Sequence, residues 1–209
     1  TMKEGTPMLQ RINNTLGRIS IAGDESSWDF GFLESIKEQA EKRGSLSPRQ
    51  EEILQQVEGR YSDEALVARG NWENSWNSEK EEKFSIALHY YRKTGYYHNI
   101  VYRYLDSDNN RQGVPLEKEY NKLVLNKYAA GVIENVLGDS KFPVGSTAAF
   151  RANANRLLQG KLCIVLQHGK AEHVRTHAKG AKPVHVLLIG SSDPVWTEER
   201  FLKKSKKRK

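Results

Sequence analysis

The side chains best suited to chemistry lie in segment 168–182, which reads His-Gly-Lys-Ala-Glu-His-Val-Arg-Thr-His-Ala-Lys-Gly-Ala-Lys. The segment joins two apolar runs, is too polar to be buried and contains glycines, so we expect a mobile loop. Its basic residues are Lys170, Arg175, Lys179 and Lys182. Cations on flexible stems contact phosphates without a fixed register. The segment therefore predicts a phosphate contact, with a solvated linker of incidental charge as the alternative.

Further cations lie on both sides of this loop. We expect Arg151, Arg156 and Lys161, in the facing turn and strand, to extend the same surface. A polybasic run follows, and its residues predicted to contact nucleic acid are Lys203, Lys204, Lys206, Lys207 and Arg208. Such a run either binds phosphates without sequence preference or serves only as a solubilising segment.

Charge is unevenly distributed along the chain. Residues 141–209 contain 15 Lys and Arg against 4 Asp and Glu, a net +11, whereas residues 1–140 contain 18 against 22, a net −4. This asymmetry predicts a polyanionic partner for the C-terminal part, and nucleic acid is the commonest polyanion.

A second candidate surface mixes tyrosines with cations between Tyr90 and Tyr104. Exposed tyrosines can stack on nucleobases while neighbouring cations meet phosphates. For this role we single out Arg92, Tyr96 and Arg103. The alternative is that the tyrosines fill a core with their hydroxyls at its edge. Helical spacing places Tyr97 and Tyr104 on an apolar stripe, where the core interpretation is favoured.

Three histidines raise the question of a metal site: His168, His173 and His177. They lie in a glycine-bounded loop and no cysteine pair completes a site, so we expect neither a metal ion nor another cofactor. Protonation of these imidazoles near pH 6 predicts tighter binding of a polyanion in mild acid.

Signals of catalysis are weak. The sequence has no phosphate-binding loop, no dinucleotide-binding glycine motif and no Gly-x-Ser-x-Gly. The single cysteine, Cys163, lies in an apolar run and is expected to be buried rather than activated. Glu198-Glu199 alone does not define a nuclease. We therefore expect a protein that is not an enzyme.

Four short apolar runs predict β-strands at 144–151, 161–166, 184–189 and 194–196, bounded by Gly, Pro, Asn or Ser. Val144-Gly145 before the first run, and Glu199-Arg200-Phe201-Leu202-Lys203 after the last, resemble a small SH3-like barrel of the KOW or Tudor type. In that family the second motif is a 3₁₀ turn that closes the barrel. The resemblance implies a barrel over 141–204, and such barrels bind RNA, DNA, peptides or proteins.

The preceding residues predict helices. Apolar side chains recur at helical spacing after Ser27, and Gly44 ends that helix. Ser47, Pro48 and Gln50 form a capping box for the next helix. Further helices are expected after Ser78, after Gly95 and from Pro115 to Gly138. We expect a flexible arm over 1–26, with a short strand possible at 18–22, a helical domain over 27–138, a barrel over 141–204 and a basic tail over 205–209.

A second resemblance concerns the first helices. Trp28-Asp-Phe together with Arg43-Gly-Ser-Leu-Ser-Pro-Arg-Gln50 is similar to helical modules in tailed-bacteriophage DNA-metabolism proteins. It implies a nucleic-acid setting, such as a phage-infected bacterial cell, but assigns no residue a role. Glutamates among the basic residues of these two helices leave no basic face, so we do not expect them to read DNA.

Together these patterns predict an α+β chain, with an N-terminal helical region followed by a C-terminal antiparallel SH3-like β-barrel. The predicted function is a non-catalytic accessory protein that binds DNA or RNA, with its helices available for protein contacts. The alternative is a structural or adaptor protein whose barrel binds an acidic protein. No apolar run approaches the roughly 18 residues of a membrane span, which predicts a cytoplasmic protein.

Overall fold

The computed structural model describes residues 7–205, which form eight α-helices followed by a five-stranded antiparallel sheet. The α+β class predicted from the sequence is confirmed. The chain divides into two compact units, the first ending at Ser75 and the second beginning at Trp76.

The first unit is helical. Its helices are α1 (Pro7–Ile21), α2 (Trp28–Arg43), α3 (Pro48–Arg60) and α4 (Asp63–Asn74). The predicted start of α2 near Ser27, its end at Gly44 and the capping box of α3 are confirmed. Ser27 Oγ accepts from the Phe30 amide at 3.3 Å, and Gly44 ends α2 at φ 73°. Ser47 and Gln50 exchange both capping-box bonds, at 3.2 and 2.9 Å.

Residues 7–21 differ from the prediction of a flexible arm and a short strand. They form the helix α1, in which Ile12 and Ile19 are completely buried. These side chains share one core with Leu33, Leu54 and Val57 of α2 and α3. The polar sequence around Asn13 therefore folds because one stripe of α1 packs on two other helices.

The second unit begins with four helices, α5 (Ser78–Thr94), α6 (His98–Tyr104), α7 (Glu117–Val124) and α8 (Lys127–Leu137). Phe84 of α5 is fully buried. The centroids of the Trp76 and Tyr120 rings each lie 6.0 Å from the centroid of its ring. The single helix predicted from Pro115 to Gly138 is divided at Asn126. Its side-chain oxygen accepts from the amides of Tyr128 and Ala129, which starts a new helix.

The sheet follows these helices. Its strands are β1 (Thr147–Phe150), β2 (Leu162–His168), β3 (Pro183–Leu188), β4 (Val195–Glu198) and β5 (Leu202–Lys204), in the order β4-β3-β2-β1-β5. All four neighbouring pairs are antiparallel. Residues 199–201 form the predicted 3₁₀ turn. The sheet is open, with β4 and β5 at its edges, and closure into a barrel is not observed among residues 7–205.

One face of the sheet builds a compact core. Its largest members are Phe142, Phe150 and Leu202, which pack with Cys163 and with valines from β2 and β3. The β1–β5 pairing places Phe150 opposite Leu202 and Ala149 opposite Lys203. The short strand β5, which the sequence pattern does not separate from the preceding turn, is therefore fixed by this core.

The predicted boundary between residues 138 and 141 is not where the chain divides. Helices α5 to α8 belong to the same compact unit as the sheet. The physical reason is the β2–β3 loop, residues 169–182, which bonds to α5 and α8 through Lys93 and Asn135. None of the helices found in residues 7–205 has both the length and the apolarity needed to cross a membrane.

Candidate nucleic-acid interface

The β2–β3 loop is anchored rather than mobile. Lys93 Nζ of α5 donates to the backbone oxygens of Glu172, at 3.2 Å, and Val174. Asn135 Nδ2 of α8 donates to Ala178 O at 3.0 Å. The Val174 side chain is 2% exposed, so the loop also contributes to the interior. Its polar sequence does not reveal these contacts, because the groups that hold it come from distant helices.

Lys182 is the clearest correction among the predicted binding residues. Its side chain is buried, and Nζ donates to Val136 O at 2.7 Å and Gly138 O at 2.8 Å. These carbonyls end α8, where a cation is favoured by the helix dipole. Burial lowers the pKa of the ammonium, partly opposed by Glu199 and Asp139. Lys182 therefore joins loop and helix, and is not available to a phosphate.

Six cations line one cavity of about 390 Å³ beside the sheet, which we call the basic cleft. They come from four segments of the second unit: Lys141, Arg151, Lys179, Arg200, Lys203 and Lys204. Four of them, at 151, 179, 203 and 204, belong to the set predicted from the sequence. The fold thus collects in one place cations that are widely separated along the chain.

Backbone bonds explain this convergence. Pairing of β5 with β1 brings Lys203 and Lys204 beside Ala149 and Ala148. The Arg151 amide donates to Phe201 O at 2.8 Å, and its Nε donates to Leu202 O at 2.6 Å. The Arg200 amide donates to Gly180 O at 3.0 Å, which brings the β2–β3 loop to the same place.

Gly180 permits the turn that brings the loop there, because its φ of +76° favours glycine. A Cβ at this position would make only an ordinary van der Waals contact with Arg200 Cβ, at 3.6 Å. The next basic residue back along the loop is Lys179, which lines the cleft. The turn at Gly180 therefore positions one of the cleft cations.

One carboxylate, that of Glu199, also lines the cleft, and both it and the neighbouring Glu198 are engaged within the protein. Glu199 is 7% exposed and accepts from Ser140 Oγ and, at 3.3 Å, from the Lys141 amide. Glu198 Oε2 lies 2.5 Å from Arg200 Nε. Within residues 7–205, no carboxylate oxygen lies within 4 Å of a side-chain nitrogen of Lys141, Arg151, Lys179, Lys203 or Lys204. As far as the described part of the chain goes, five cations of the cleft therefore have no direct ion pair.

Four predicted loop and turn cations lie outside the cleft. Arg156, Lys161, Lys170 and Arg175 are exposed, but none of them lines it. Lys170 instead borders a different cavity, where Glu81, Glu82 and Glu172 are also present. Three residues of the predicted tail, Lys206, Lys207 and Arg208, lie outside the described residues.

Arg92 and Arg103 serve internal contacts instead of a shared surface. Arg92 donates to Asn109 Oδ1 at 2.8 Å and to Leu105 O. Arg103 Nη1 lies 2.5 Å from Oε1 of Glu119, a buried carboxylate that also accepts from the Tyr104 hydroxyl at 2.5 Å. The Tyr104 phenol has its pKa raised to about 12 by burial and by this bond. Tyr104 thus fits the core interpretation.

Tyr96 lies in a different setting from the two arginines. It is 69% exposed and borders a cavity lined by four further tyrosines. Tyr97 borders the same cavity and is 37% exposed, so the core interpretation predicted for it is wrong. We refer to this cavity as the tyrosine pocket.

The histidines are distributed over separate contacts. His173 and His185 both stack on Trp196, at ring-centroid distances of 3.8 and 4.4 Å. His168 Nε2 lies 2.8 Å from Phe142 O, and His177 Nδ1 lies 3.0 Å from the Tyr90 hydroxyl. In the described part of the chain, no three His, Cys, Asp or Glu side chains come together as a metal site would require.

Cys163 lies at 0% exposure in the core of the sheet. Burial raises the pKa of its thiol. A nucleophilic cysteine needs a thiolate and access to substrate. The geometry therefore suits a packing role for this residue.

Two cleft residues were missing from the predicted set, Lys141 and Arg200. Lys141 precedes the sheet, and Arg200 lies in the 3₁₀ turn between β4 and β5. The pairing of β1 with β5 brings both ends of segment 141–204 together. A prediction of that pairing from the sequence would have included Lys141 and Arg200 in the site.

No protein-family model, curated protein or solved structure gives a significant match to this chain.

Proposed function

We propose that this chain is a nucleic-acid-binding accessory protein without catalytic activity, which holds the phosphates of a strand in the basic cleft. We also propose that the sheet is an incompletely closed member of the SH3-like class. The neighbouring order of its strands and the 3₁₀ turn before β5 support that assignment.

The observation that carries the proposal is the basic cleft itself. Six cations from four segments share one cavity, while the nearby carboxylates of Glu198 and Glu199 are engaged by the protein. Phosphate contacts supply most of the affinity in binding without sequence preference, and each contact releases counterions. A strand that neutralises this cluster would bind strongly in low salt and weakly in high salt.

The test is equilibrium binding of labelled DNA and RNA strands of about 12 nucleotides, a length within the range of known single-strand sites. We expect binding at about 50 mM salt that weakens steeply by about 200 mM. In Lys203→Ala/Lys204→Ala, affinity should fall at least about tenfold, and the slope of log K against log salt should decrease by about 2.

The matched control is Lys42→Ala/Lys118→Ala, which removes the same charge from exposed positions outside the cleft. This control should retain both the affinity and the slope. Equal losses in the two double variants would show that net charge, and not the cleft, governs binding. Absence of binding to both DNA and RNA at low salt would contradict the proposal and leave the acidic-protein alternative.

A further inference from the structure

The tyrosine pocket is a second cavity of the second unit, with a volume of about 520 Å³. Its tyrosines are Tyr90, Tyr91, Tyr96, Tyr97 and Tyr128. Sites for small organic groups typically have 300–1,000 Å³ and aromatic walls. The size and lining of this pocket therefore fit one flat ring system.

The pocket has a buried floor and an exposed rim. Tyr90 and Tyr91 of α5 are 6% and 4% exposed, whereas Tyr96 and Tyr128 are 69% and 45% exposed. A tyrosine that only fills a core buries its ring and leaves its hydroxyl at the edge. The rim tyrosines instead present ring surface to solvent, where a ligand can stack.

The backbone places the rim by an unusual turn. Gly95 ends α5 at φ 78°, and Tyr97 follows at φ 55°, a left-handed conformation that side chains other than glycine rarely adopt. The Tyr97 ring then meets the Tyr91 ring edge to face at 4.9 Å. Non-glycine residues held in such conformations concentrate at binding sites, where the surrounding fold stabilises them.

The floor carries polar groups that can recognise the edge of a ring. The Tyr90 hydroxyl lies 3.0 Å from His177 Nδ1, and the Tyr91 hydroxyl donates to Asn126 Oδ1 at 2.9 Å. Burial raises the pKa of both phenols, so they remain neutral at physiological pH. The Asn126 amide is engaged by the backbone on both sides, so the groups left to meet the donors and acceptors of a nucleobase are the phenol oxygens and the His177 ring.

Two lysines favour a nucleotide over a cationic ligand. Lys122 Nζ lies 5.0 Å from the centroid of the Tyr97 ring, and Lys127 Nζ lies 5.0 Å from that of Tyr128. An aromatic cage also attracts quaternary ammonium groups, but two ammonium ions are already present here and would repel a third. They would attract the phosphate that accompanies a base.

The β2–β3 loop connects this pocket to the basic cleft. His177 lines the tyrosine pocket and also a neighbouring cavity, which Lys179 shares with the cleft. Two residues of extended chain span at most about 7 Å, so the two surfaces adjoin. One strand can therefore contact both.

We propose that the tyrosine pocket receives one unstacked nucleobase of a single strand whose phosphates lie in the basic cleft. The inference depends on the proposed function and adds to it a preference for single strands, since a paired base cannot enter without leaving its duplex. A stacked base contributes substantially to affinity without sequence preference.

The experiment compares three labelled probes of about 12 positions: a single strand, the matching duplex, and an abasic strand of the same charge. The wild-type protein should bind the single strand more tightly than the other two. Tyr96→Ala and Tyr128→Ala should each weaken single-strand binding by about 5-fold to 100-fold and leave binding of the abasic strand unchanged.

The matched control is Tyr102→Ala, because Tyr102 is 69% exposed, like Tyr96, but lies outside the pocket. It should bind every probe as the wild type does. Wild-type affinity of both pocket variants for the single strand would overturn the pocket inference and leave the basic cleft standing. Failure of the wild type to bind any probe would instead overturn the proposed function and the inference together. Saturable binding of choline, with no effect of the tyrosine variants on strands, would assign the pocket to cations and likewise overturn the inference.

Discussion

The cations of the first unit and those of the basic cleft face different surroundings. In the first unit, Arg69 bonds to both oxygens of Asp24, and Arg60 bonds to both oxygens of Asp29. In the cleft, the ammonium groups of Lys179, Lys203 and Lys204 have no such partner within the described chain. Arginines that join helices in the first unit thus contrast with cleft lysines that have no carboxylate partner among the described residues.

This difference has a physical consequence for substitution. Removing a paired cation leaves its carboxylate without a partner, which lowers the free energy of unfolding. Removing a cleft lysine removes electrostatic repulsion from its neighbours and disturbs no internal bond. Substitution of the paired cations should therefore change stability, and substitution of the cleft lysines should change binding.

The largest effect on stability is expected from Asp24→Ala. This change removes the acceptor of two bonds from Arg69, at 2.5 and 3.0 Å, and of one from Tyr61 Oη, at 2.9 Å. We expect a loss of about 2 kcal/mol in the free energy of unfolding, because charged hydrogen bonds contribute more than neutral ones. Calorimetric melting would measure it.

The control for Asp24 is Glu38→Ala, which breaks an exposed i,i+4 pair with Lys42. Exposed pairs contribute little, so no measurable change in melting is expected. Binding of a labelled strand should be the same in both variants and the wild type. A weakened affinity in Asp24→Ala, with the melting temperature unchanged, would contradict a structural role for the Asp24–Arg69 ion pair.

A comparison within the β2–β3 loop should give the next largest effect. Lys182→Met removes two bonds to the end of α8 and should cost about 1.5 kcal/mol of unfolding free energy. Lys179→Ala should leave melting unchanged and weaken strand binding by several-fold, with the salt slope falling by about 1. The two residues lie three positions apart, which makes them closely matched. Loss of binding without loss of stability in Lys182→Met would contradict the structural role assigned to Lys182.

The smallest effect is expected from pH. Burial lowers the pKa of His89 and of His173, with nearby Lys93 adding to the effect and Glu172 opposing it. Because the pKa of these histidines is lower in the folded chain, the unfolded chain takes up protons at a higher pH than the folded chain does. The free energy of unfolding is therefore at its full value above about pH 6.5 and decreases as the pH falls below it. We expect the melting temperature to decrease modestly from about pH 7.5 to about pH 5.5.

Replacing both groups, in His89→Gln/His173→Gln, should flatten that pH dependence, whereas replacing the exposed His98 should not. The same shifts limit the tighter binding in acid predicted from the loop histidines, because His173 resists the protonation that would add charge. A stability that rises towards pH 5.5 would contradict this account.

Features decided by neighbouring residues could be predicted from the sequence. Ser27, Gly44 and the Ser47–Gln50 box mark their helix ends because each cap bonds within a few residues. The helix α1 was missed because its stability comes from packing of Ile12 and Ile19 on other helices. Local propensity around Asn13 and Asn14 does not contain that information.

The candidate site was predictable in composition but not in arrangement. The excess of cations after residue 140 indicated a polyanion, and four of the six cleft residues were in the predicted set. The pairing of β1 with β5 and the burial of Lys182 depend on contacts over more than 40 residues. Such contacts decide which lysines are buried and which line the cleft. The pattern of charges along the sequence does not distinguish these two groups.

The most direct test of the central claim is to map binding on ¹⁵N-labelled protein with an unlabelled strand of about 12 nucleotides. The account predicts that the largest amide shifts occur at Lys141, Arg151, Lys179 and the segment 200–204, with small shifts across the first unit. Largest shifts within residues 7–75, or shifts spread evenly over both units, would contradict it.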